Sequence, residues 1–102
     1  MVKHSLTEEL RSEMELLDRT VDILTAIKKD QPIGINTLSE RLEIESHKVR
    51  YSLRLLEKES IIEPTAKGAM ITDKHEKFEK ELIEELREME NNLEKMITAL
   101  SE

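Results

Sequence analysis

Residues 35–72 read INTLSERLEIESHKVRYSLRLLEKESIIEPTAKGAMIT, and the spacing of apolar residues in this stretch decides the fold. Leu38 and Leu42 give a first short helix one apolar face. A second helix is predicted from about Ser46 to Lys58, because three apolar residues recur there at i, i+4 and i+7. They are Val49, Leu53 and Leu56. The pattern indicates two short helices joined by a turn.

A β-hairpin is predicted directly after the second helix. Two short apolar runs, Ile61-Ile62 and Met70-Ile71, are separated by EPTAKGA, in which Gly68 supplies the backbone freedom of a tight turn. We therefore expect two short strands within residues 61–72.

Both the start of the first short helix and a short strand are predicted in the few residues before Leu38. Thr37 and Glu40 have the spacing of a capping box, which predicts Asn36 or Thr37 as the N-cap of this helix. Ile35 follows a proline and a glycine and is a candidate for a short third strand.

Long amphipathic helices are predicted on both sides of this stretch. The first, over about 7–29, carries apolar residues at alternating spacings of four and three. The last runs from about Asp73 to Leu100, with Thr72 or Asp73 as its cap, and follows a 4-3-4-3-4 heptad rhythm. The apolar seam of this last helix consists of Leu82, Leu86, Met89, Leu93, Met96 and Leu100.

The seam of the last helix requires a partner, because an apolar stripe of this length is unfavourable in water. A second copy of the chain is the simplest source of a partner helix, so we expect a coiled-coil homodimer. In that dimer the last helix would also pack against the first helix of the same chain or of its partner. The pattern leaves parallel and antiparallel pairing open.

The composition narrows the class of protein. The 102 residues include 23 Asp and Glu against 16 Lys and Arg, a net charge of −7, and no cysteine, which excludes disulfides and Cys-ligated zinc. The opening MVKHSLTEEL lacks the apolar run of a signal peptide, and no stretch approaches the roughly 20 apolar residues of a membrane span. We therefore expect a cytoplasmic protein without a membrane partner.

The charges are unevenly distributed along the chain. Residues 1–33 carry a net charge of −2, residues 34–75 a net charge of 0, and residues 76–102 a net charge of −5. Within the neutral middle, His47, Arg50 and Arg54 share one helix face, and Arg50 has no acid at helical spacing to pair with. A solvated charged face is normally neutralised, as by Lys77 and Glu81 on the last helix. The unpaired cations indicate an anionic partner.

A second basic point lies at the tip of the hairpin. Lys67 stands next to Thr65, and no acid occurs between Glu63 and Asp73. Two separate elements therefore present cations, although a basic helix face alone is about as often plain solvated surface.

The order helix, short strand, helix, turn, helix, hairpin resembles that of winged helix-turn-helix transcriptional regulators. The similarity covers about residues 7–75. It is closest to small archaeal predicted regulators, through PIGI before the first short helix, HKVRYSLR in the second, and EPT-KGA in the wing. The resemblance implies a mostly α fold with a β-hairpin wing. Residues 1–75 would form the winged-helix DNA-binding domain and residues 76–102 the coiled-coil dimerisation helix.

The resemblance also implies site residues. The helix over 46–58 would be the recognition helix in the DNA major groove, with Arg50 reading guanine while Lys48 and Arg54 bind phosphate. The wing over 61–72 would touch the DNA backbone or the minor groove. The residues implied to face DNA are Ser46, His47, Lys48, Arg50, Tyr51, Arg54, Thr65 and Lys67. Tyr51 is equally readable as a half-buried structural residue.

Three residues depart from the family pattern. Glu43 and Ser60 stand where the family often has glycine, and Glu45 stands where a Ser or Thr cap is usual. Glu45 lies close to where phosphates would pass, which suggests weak or condition-dependent binding.

Catalytic and metal sites find no support in the sequence, so we expect no enzyme activity, cofactor or metal. His4, His47 and His75 are too far apart for a helical metal pair, and no phosphate-binding glycine loop occurs. The expected function is a homodimeric, sequence-specific regulator that binds double-stranded DNA. A winged-helix protein-interaction module without DNA binding is the alternative, and a small-molecule effector stays open.

Overall fold

The computed structural model describes residues 5–102, which form four helices and one antiparallel hairpin, so the predicted fold class is confirmed. The elements are α1 (Ser5–Asp30), α2 (Ile35–Leu42), α3 (Ser46–Lys58), β1 (Ile62–Thr65), β2 (Gly68–Ile71) and α4 (His75–Ser101). The chain divides into two compact units, one ending at Thr72 and the other comprising Asp73–Glu102.

An aliphatic core holds the first unit together. The second half of α1 packs on α3, and both contact the hairpin. The three residues predicted to point inward from α3 are buried, with 0–7% of their surface exposed. The core consists of Ile23, Leu24, Ile27, Ile33, Leu38, Val49, Leu53, Leu56, Ile61, Ile62 and Ala69. This burial fixes which side of α3 faces outward.

The hairpin is tighter than its sequence indicates. Its register pairs Ile62 with Ile71 and Thr65 with Gly68, which leaves a turn of only two residues, Ala66 and Lys67. The two strands therefore extend further into the EPTAKGA segment than its apolar residues predict.

The third strand predicted at Ile35 is not formed in the described residues, and an isolated bridge two residues earlier stands in its place. Ile33, not Ile35, forms a bridge with Ala69: the Ile33 amide donates to the Ala69 carbonyl at 3.2 Å, and the Ala69 amide donates back at 2.8 Å. Ile35 instead begins α2. The segment before α2 is thus fixed to the wing.

Both predicted helix caps were wrong. Gly34 is the N-cap residue of α2, and its carbonyl accepts the first helical bond from Leu38, so Asn36 and Thr37 lie inside the first turn. The bridge at Ile33 keeps the backbone extended only up to Gly34, which sets this start. For α4 the N-cap residue is Lys74. The hydroxyl of Thr72 donates to the Ser60 carbonyl at 2.6 Å instead of capping α4.

Left-handed backbone explains two departures from the family pattern. Glu43 ends α2 with φ 55°, and Ser60 follows α3 with φ 61°. Side chains with a Cβ adopt this region at a cost, which glycine avoids. Glycine is therefore the residue expected at both positions, and this chain folds without it.

Exposed apolar residues lie on both long helices. In α4, five of the six predicted seam residues are exposed and Leu82 is half-buried. In the first half of α1, Leu6, Leu10 and Met14 are exposed as well, from 52% to 92%. These side chains therefore keep a large part of their apolar surface in solvent.

Candidate nucleic-acid interface

The outward side of α3 carries the predicted recognition residues. All six are exposed, and Tyr51 has half its surface in solvent, which fits both a DNA-facing side chain and the half-buried structural residue of the alternative reading. The opposite side of the helix is buried through Val49, Leu53 and Leu56. The exposed set is Ser46, His47, Lys48, Arg50, Tyr51 and Arg54.

Arg50 and Arg54 stand free of carboxylates. Among residues 5–102, neither forms an ion pair or a hydrogen bond through its guanidinium group. Arg41, one helix earlier, is different because it pairs with Asp30 at the end of α1. The two unpaired guanidinium groups are therefore available to an external anion.

The cations at the start of α3 are less free than the sequence suggests. Glu45 lies with its carboxylate 3.7 Å from Lys48 Nζ and 3.8 Å from His47 Nδ1. All three side chains are largely exposed, so each contact contributes at most about 1 kcal/mol. The basic face predicted from the sequence is therefore free of carboxylates at Arg50 and Arg54 but not at His47 and Lys48.

Ser46 is exposed on the surface of α3, and its hydroxyl also forms a hydrogen bond across the turn before α3. Its hydroxyl donates to Ser39 Oγ in α2 at 3.4 Å, and the Ser39 hydroxyl donates to the Ile44 carbonyl at 2.5 Å. These contacts link α2 to the start of α3, and so they orient the first residues of α3.

A buried polar contact between α1 and α3 escaped the sequence reasoning. Ser52 is fully buried, and its Oγ lies 2.9 Å from Thr20 Oγ1. The single hydroxyl proton of Thr20 goes to the Leu16 carbonyl at 2.8 Å, so Ser52 donates to Thr20. The signal was available, because Ser52 falls three residues after Val49 on the core-facing side.

Internal hydrogen bonds shape the wing tip. Thr65 Oγ1 donates to the Gly68 carbonyl at 2.6 Å and accepts from the Lys67 amide at 3.2 Å. A Cβ on Gly68 would lie 2.5 Å from the Ile33 carbonyl carbon, and φ there is 131°. The exposed Lys67 thus sits on a rigid turn, whereas Thr65 uses its hydroxyl within the turn.

The wing lies beside α3. A groove of about 390 Å³ is bounded by Leu53 and Glu57 of α3 and by residues 64–69 of the hairpin. The two basic elements predicted from the sequence are therefore neighbours in the first unit.

An acidic groove lies where α1 meets the turn before α3. It has a volume of about 320 Å³, and Arg19 and Lys48 are the cations in its lining. Its acidic lining residues are Glu15, Asp18, Asp22, Glu43 and Glu45. Glu45 and Lys48 thus stand at the boundary between an acidic surface and the basic face of α3.

Neither a metal site nor a membrane span occurs in the described part of the chain. No group of three or more potential metal ligands is present in residues 5–102, and His4 lies outside this range. None of the helices described is long and apolar enough to cross a bilayer.

Comparison of the sequence with models of known families assigns the chain to a DNA-binding family. The model of the CggR N-terminal DNA-binding domain matches residues 16–89, which is more than half of the chain. The chain belongs to the CggR N-terminal DNA-binding domain family. Membership supports a DNA-binding regulator, with double-stranded DNA as its partner, in preference to an enzyme. No curated protein matches the chain.

The CggR-type match spans the second half of α1, the helix-turn-helix, the wing and the first half of α4. It therefore includes every residue of the candidate interface. The closer resemblance to small archaeal regulators remains a prediction from the sequence.

Proposed function

We propose that this protein is a homodimeric transcriptional regulator that binds a specific double-stranded DNA sequence. In this proposal residues 1–75 act as the DNA-binding domain and residues 76–102 as the dimerisation helix, and the protein acts in the cytoplasm. The proposal combines membership of a DNA-binding family with the arrangement of charges on α3.

One observation carries the DNA-binding part. Arg50 and Arg54 project from an exposed helix face without a carboxylate partner, in a chain of net charge −7. Within residues 5–102, no other arginine of α2 or α3 is left unpaired in this way. Unpaired cations in an otherwise acidic chain favour phosphate and base contacts at the surface that carries them.

In the proposed complex α3 lies in the major groove and the wing contacts the backbone. Arg50, in the first half of α3, would read guanine through its O6 and N7 atoms, whereas Arg54 and Lys48 would bind phosphate. Lys67, at the tip of the wing beside α3, would add a backbone contact. The acids of α1 would face away from the phosphates.

Dimerisation would use the apolar seam of α4. Five exposed large side chains follow a heptad rhythm, and Ile83 and Ile97 widen the stripe. The exposed stripe of α1 offers a second apolar surface for the partner chain. Two recognition helices would then reach major-groove faces about 34 Å apart, so the bound DNA is expected to be roughly palindromic.

A charge-reversal pair tests the DNA-binding part. Arg50→Glu with Arg54→Glu is expected to weaken specific binding by at least about a hundredfold, because one base contact and one phosphate contact are lost and two repulsions are added. The measurement is fluorescence anisotropy with DNA selected from a random library by the wild-type chain. The matched control, Arg87→Glu with Lys95→Glu, makes the same charge change on the solvent side of α4.

Two outcomes contradict the DNA-binding part. Unchanged affinity after reversal of Arg50 and Arg54 removes α3 as the interface. A wild-type chain that selects no sequence from the library favours the alternative of a protein-interaction module.

A further inference from the structure

We infer that Glu45 is a specificity-determining residue that accepts a hydrogen bond from the amino group of a cytosine in the major groove. This inference rests on the proposed function, because it assigns one base contact at the same interface. It gives a role to the one acidic side chain at the start of the recognition helix, which the sequence alone presents only as a departure from the family.

The position of Glu45 argues for contact with bases. It is the N-cap residue of α3, and its carbonyl accepts from the Lys48 amide at 2.9 Å and from the Val49 amide at 3.1 Å. Recognition helices contact base edges chiefly through their N-terminal residues. These two backbone bonds therefore fix the Glu45 Cα at the end of α3 that enters the groove most deeply.

The side chain of Glu45 does not cap α3, although Glu45 is the N-cap residue. An N-cap carboxylate can accept from the free amides of the first turn, but Glu45 makes no side-chain cap bond and has 68% of its side chain exposed. The carboxylate points instead into solvent beside the basic face. It is therefore free to accept a hydrogen bond from outside the chain.

Two flanking cations make a carboxylate tolerable near DNA. Lys48 Nζ and His47 Nδ1 lie 3.7 and 3.8 Å from the Glu45 carboxylate, which is close enough to offset its charge but too far for a good hydrogen bond. Lys48 can turn to a phosphate without breaking a strong contact. The acceptor oxygens of Glu45 would then remain for a base.

Base chemistry selects cytosine as the partner. In the major groove, Glu and Asp accept from the N4 amino group of cytosine, whereas guanine and thymine present acceptors that a carboxylate repels. Adenine also offers an amino group, but its N7 acceptor lies beside it and repels a second carboxylate oxygen. Arg50 lies five residues further along α3, so the cytosine is expected about two base-pair steps from the guanine that Arg50 reads.

Selection of bound DNA tests this assignment. Wild type, Glu45→Ala and Glu45→Gln are each used as full chains to select from a random double-stranded library, and affinities for the four bases at the key position are then measured. Wild type is expected to prefer cytosine by about tenfold or more. Glu45→Ala is expected to lose this preference, and Glu45→Gln to shift it towards adenine, which a glutamine amide matches.

A charge-matched control separates base reading from general repulsion. Glu59→Gln removes one negative charge just beyond the other end of α3, where Glu59 is exposed. It is expected to leave the preferred bases unchanged. If Glu45→Ala and Glu45→Gln bind more tightly but select the same sequence as wild type, Glu45 only repels phosphate and the inference is overturned. If wild type selects no sequence at all, the proposed function fails instead.

Discussion

For Arg50 and Glu45, the neighbouring charged groups determine how much of the side-chain charge is available to a ligand. Arg50 has no acid within reach among the described residues, so its charge is directed outward. Glu45 lies between two cations and an acidic groove, so its charge is partly offset before any ligand arrives. Arg50 is therefore a free cation and Glu45 a partly offset anion, and these are the two groups that we expect to read bases.

The left-handed residues lead to a prediction about stability. Replacing Glu43 with glycine is expected to raise the free energy of unfolding by up to about 1 kcal/mol, because the relief of left-handed strain exceeds the entropy gained by the unfolded chain. Ser60→Gly is expected to act in the same direction. Urea denaturation of the full chain measures both.

A glycine in a regular helical position serves as the control. Glu40→Gly lies within α2, where glycine is expected to cost about 1 kcal/mol relative to a good helix former. If Glu43→Gly and Ser60→Gly destabilise the chain as Glu40→Gly does, strain at these positions is not what the backbone angles indicate.

At the scale of elements, the hydroxyl pair between α1 and α3 holds α3 on the core. Because Ser52 donates to Thr20, the two substitutions that break the contact differ in cost. Ser52→Ala removes the donor and is expected to cost about 1 kcal/mol. Thr20→Val leaves a buried hydroxyl on Ser52 without its acceptor and is expected to cost about 1–3 kcal/mol.

A double-mutant cycle measures the coupling. The combined variant, Ser52→Ala with Thr20→Val, is expected to cost less than the sum of the two single changes, because no buried group is then left unpaired. Additive costs in urea denaturation would show that the two hydroxyls act independently. The DNA affinity of the folded variants then shows whether DNA binding depends on the contact that attaches α3 to α1.

Sequence patterns succeeded where an element is specified by its own residues. The bounds of α3 follow from its apolar residues at 49, 53 and 56, and the hairpin follows from two apolar runs and Gly68. Sequence patterns failed where a contact between residues far apart in the sequence sets the bounds of an element. The start of α2 depends on the bridge between Ile33 and Ala69, which lie 36 positions apart in the sequence, and no local capping signal reports that contact.

In the candidate interface, too, some features could be predicted from the sequence and others could not. Which face of α3 is exposed could be read from its periodicity, because burial of one side fixes the other. The proximity of Glu45 to His47 and Lys48 could not, since it depends on the rotamers of three exposed side chains. The burial of Ser52 was implied by the helical period, but its partner Thr20 lies 32 residues away in another helix.

For the whole molecule, the proposed homodimer depends on the apolar seam of α4. Leu86→Asp with Leu93→Asp is expected to convert the dimer to a monomer. Four leucines per dimer, each contributing about 1.5 kcal/mol or more, correspond to about 6 kcal/mol of association free energy. Light scattering on the eluted protein gives the mass directly.

The control for this experiment adds the same charge on the opposite side of α4. Asn91 and Thr98 are exposed and fall outside the heptad seam, so Asn91→Asp with Thr98→Asp is expected to leave the dimer intact. A wild-type chain that elutes with the mass of one subunit removes the dimer from the proposal. DNA binding by α3 would then have to be explained for a single recognition helix.

The bridge between Ile33 and Ala69 also governs where this chain tolerates insertions. Ile71 donates its amide to the Gln31 side chain at 2.9 Å, so the base of the hairpin is tied at two points to the strand-like segment before α2. Extra residues near Ala69 would break those ties and shift the domain's interior. Extra residues between Ala66 and Lys67 would break the hydrogen bond from the Lys67 amide to Thr65 Oγ1 but would keep both ties to the segment before α2. That turn is therefore the place where the hairpin can be lengthened, and its reach along a groove changed, without disturbing the core.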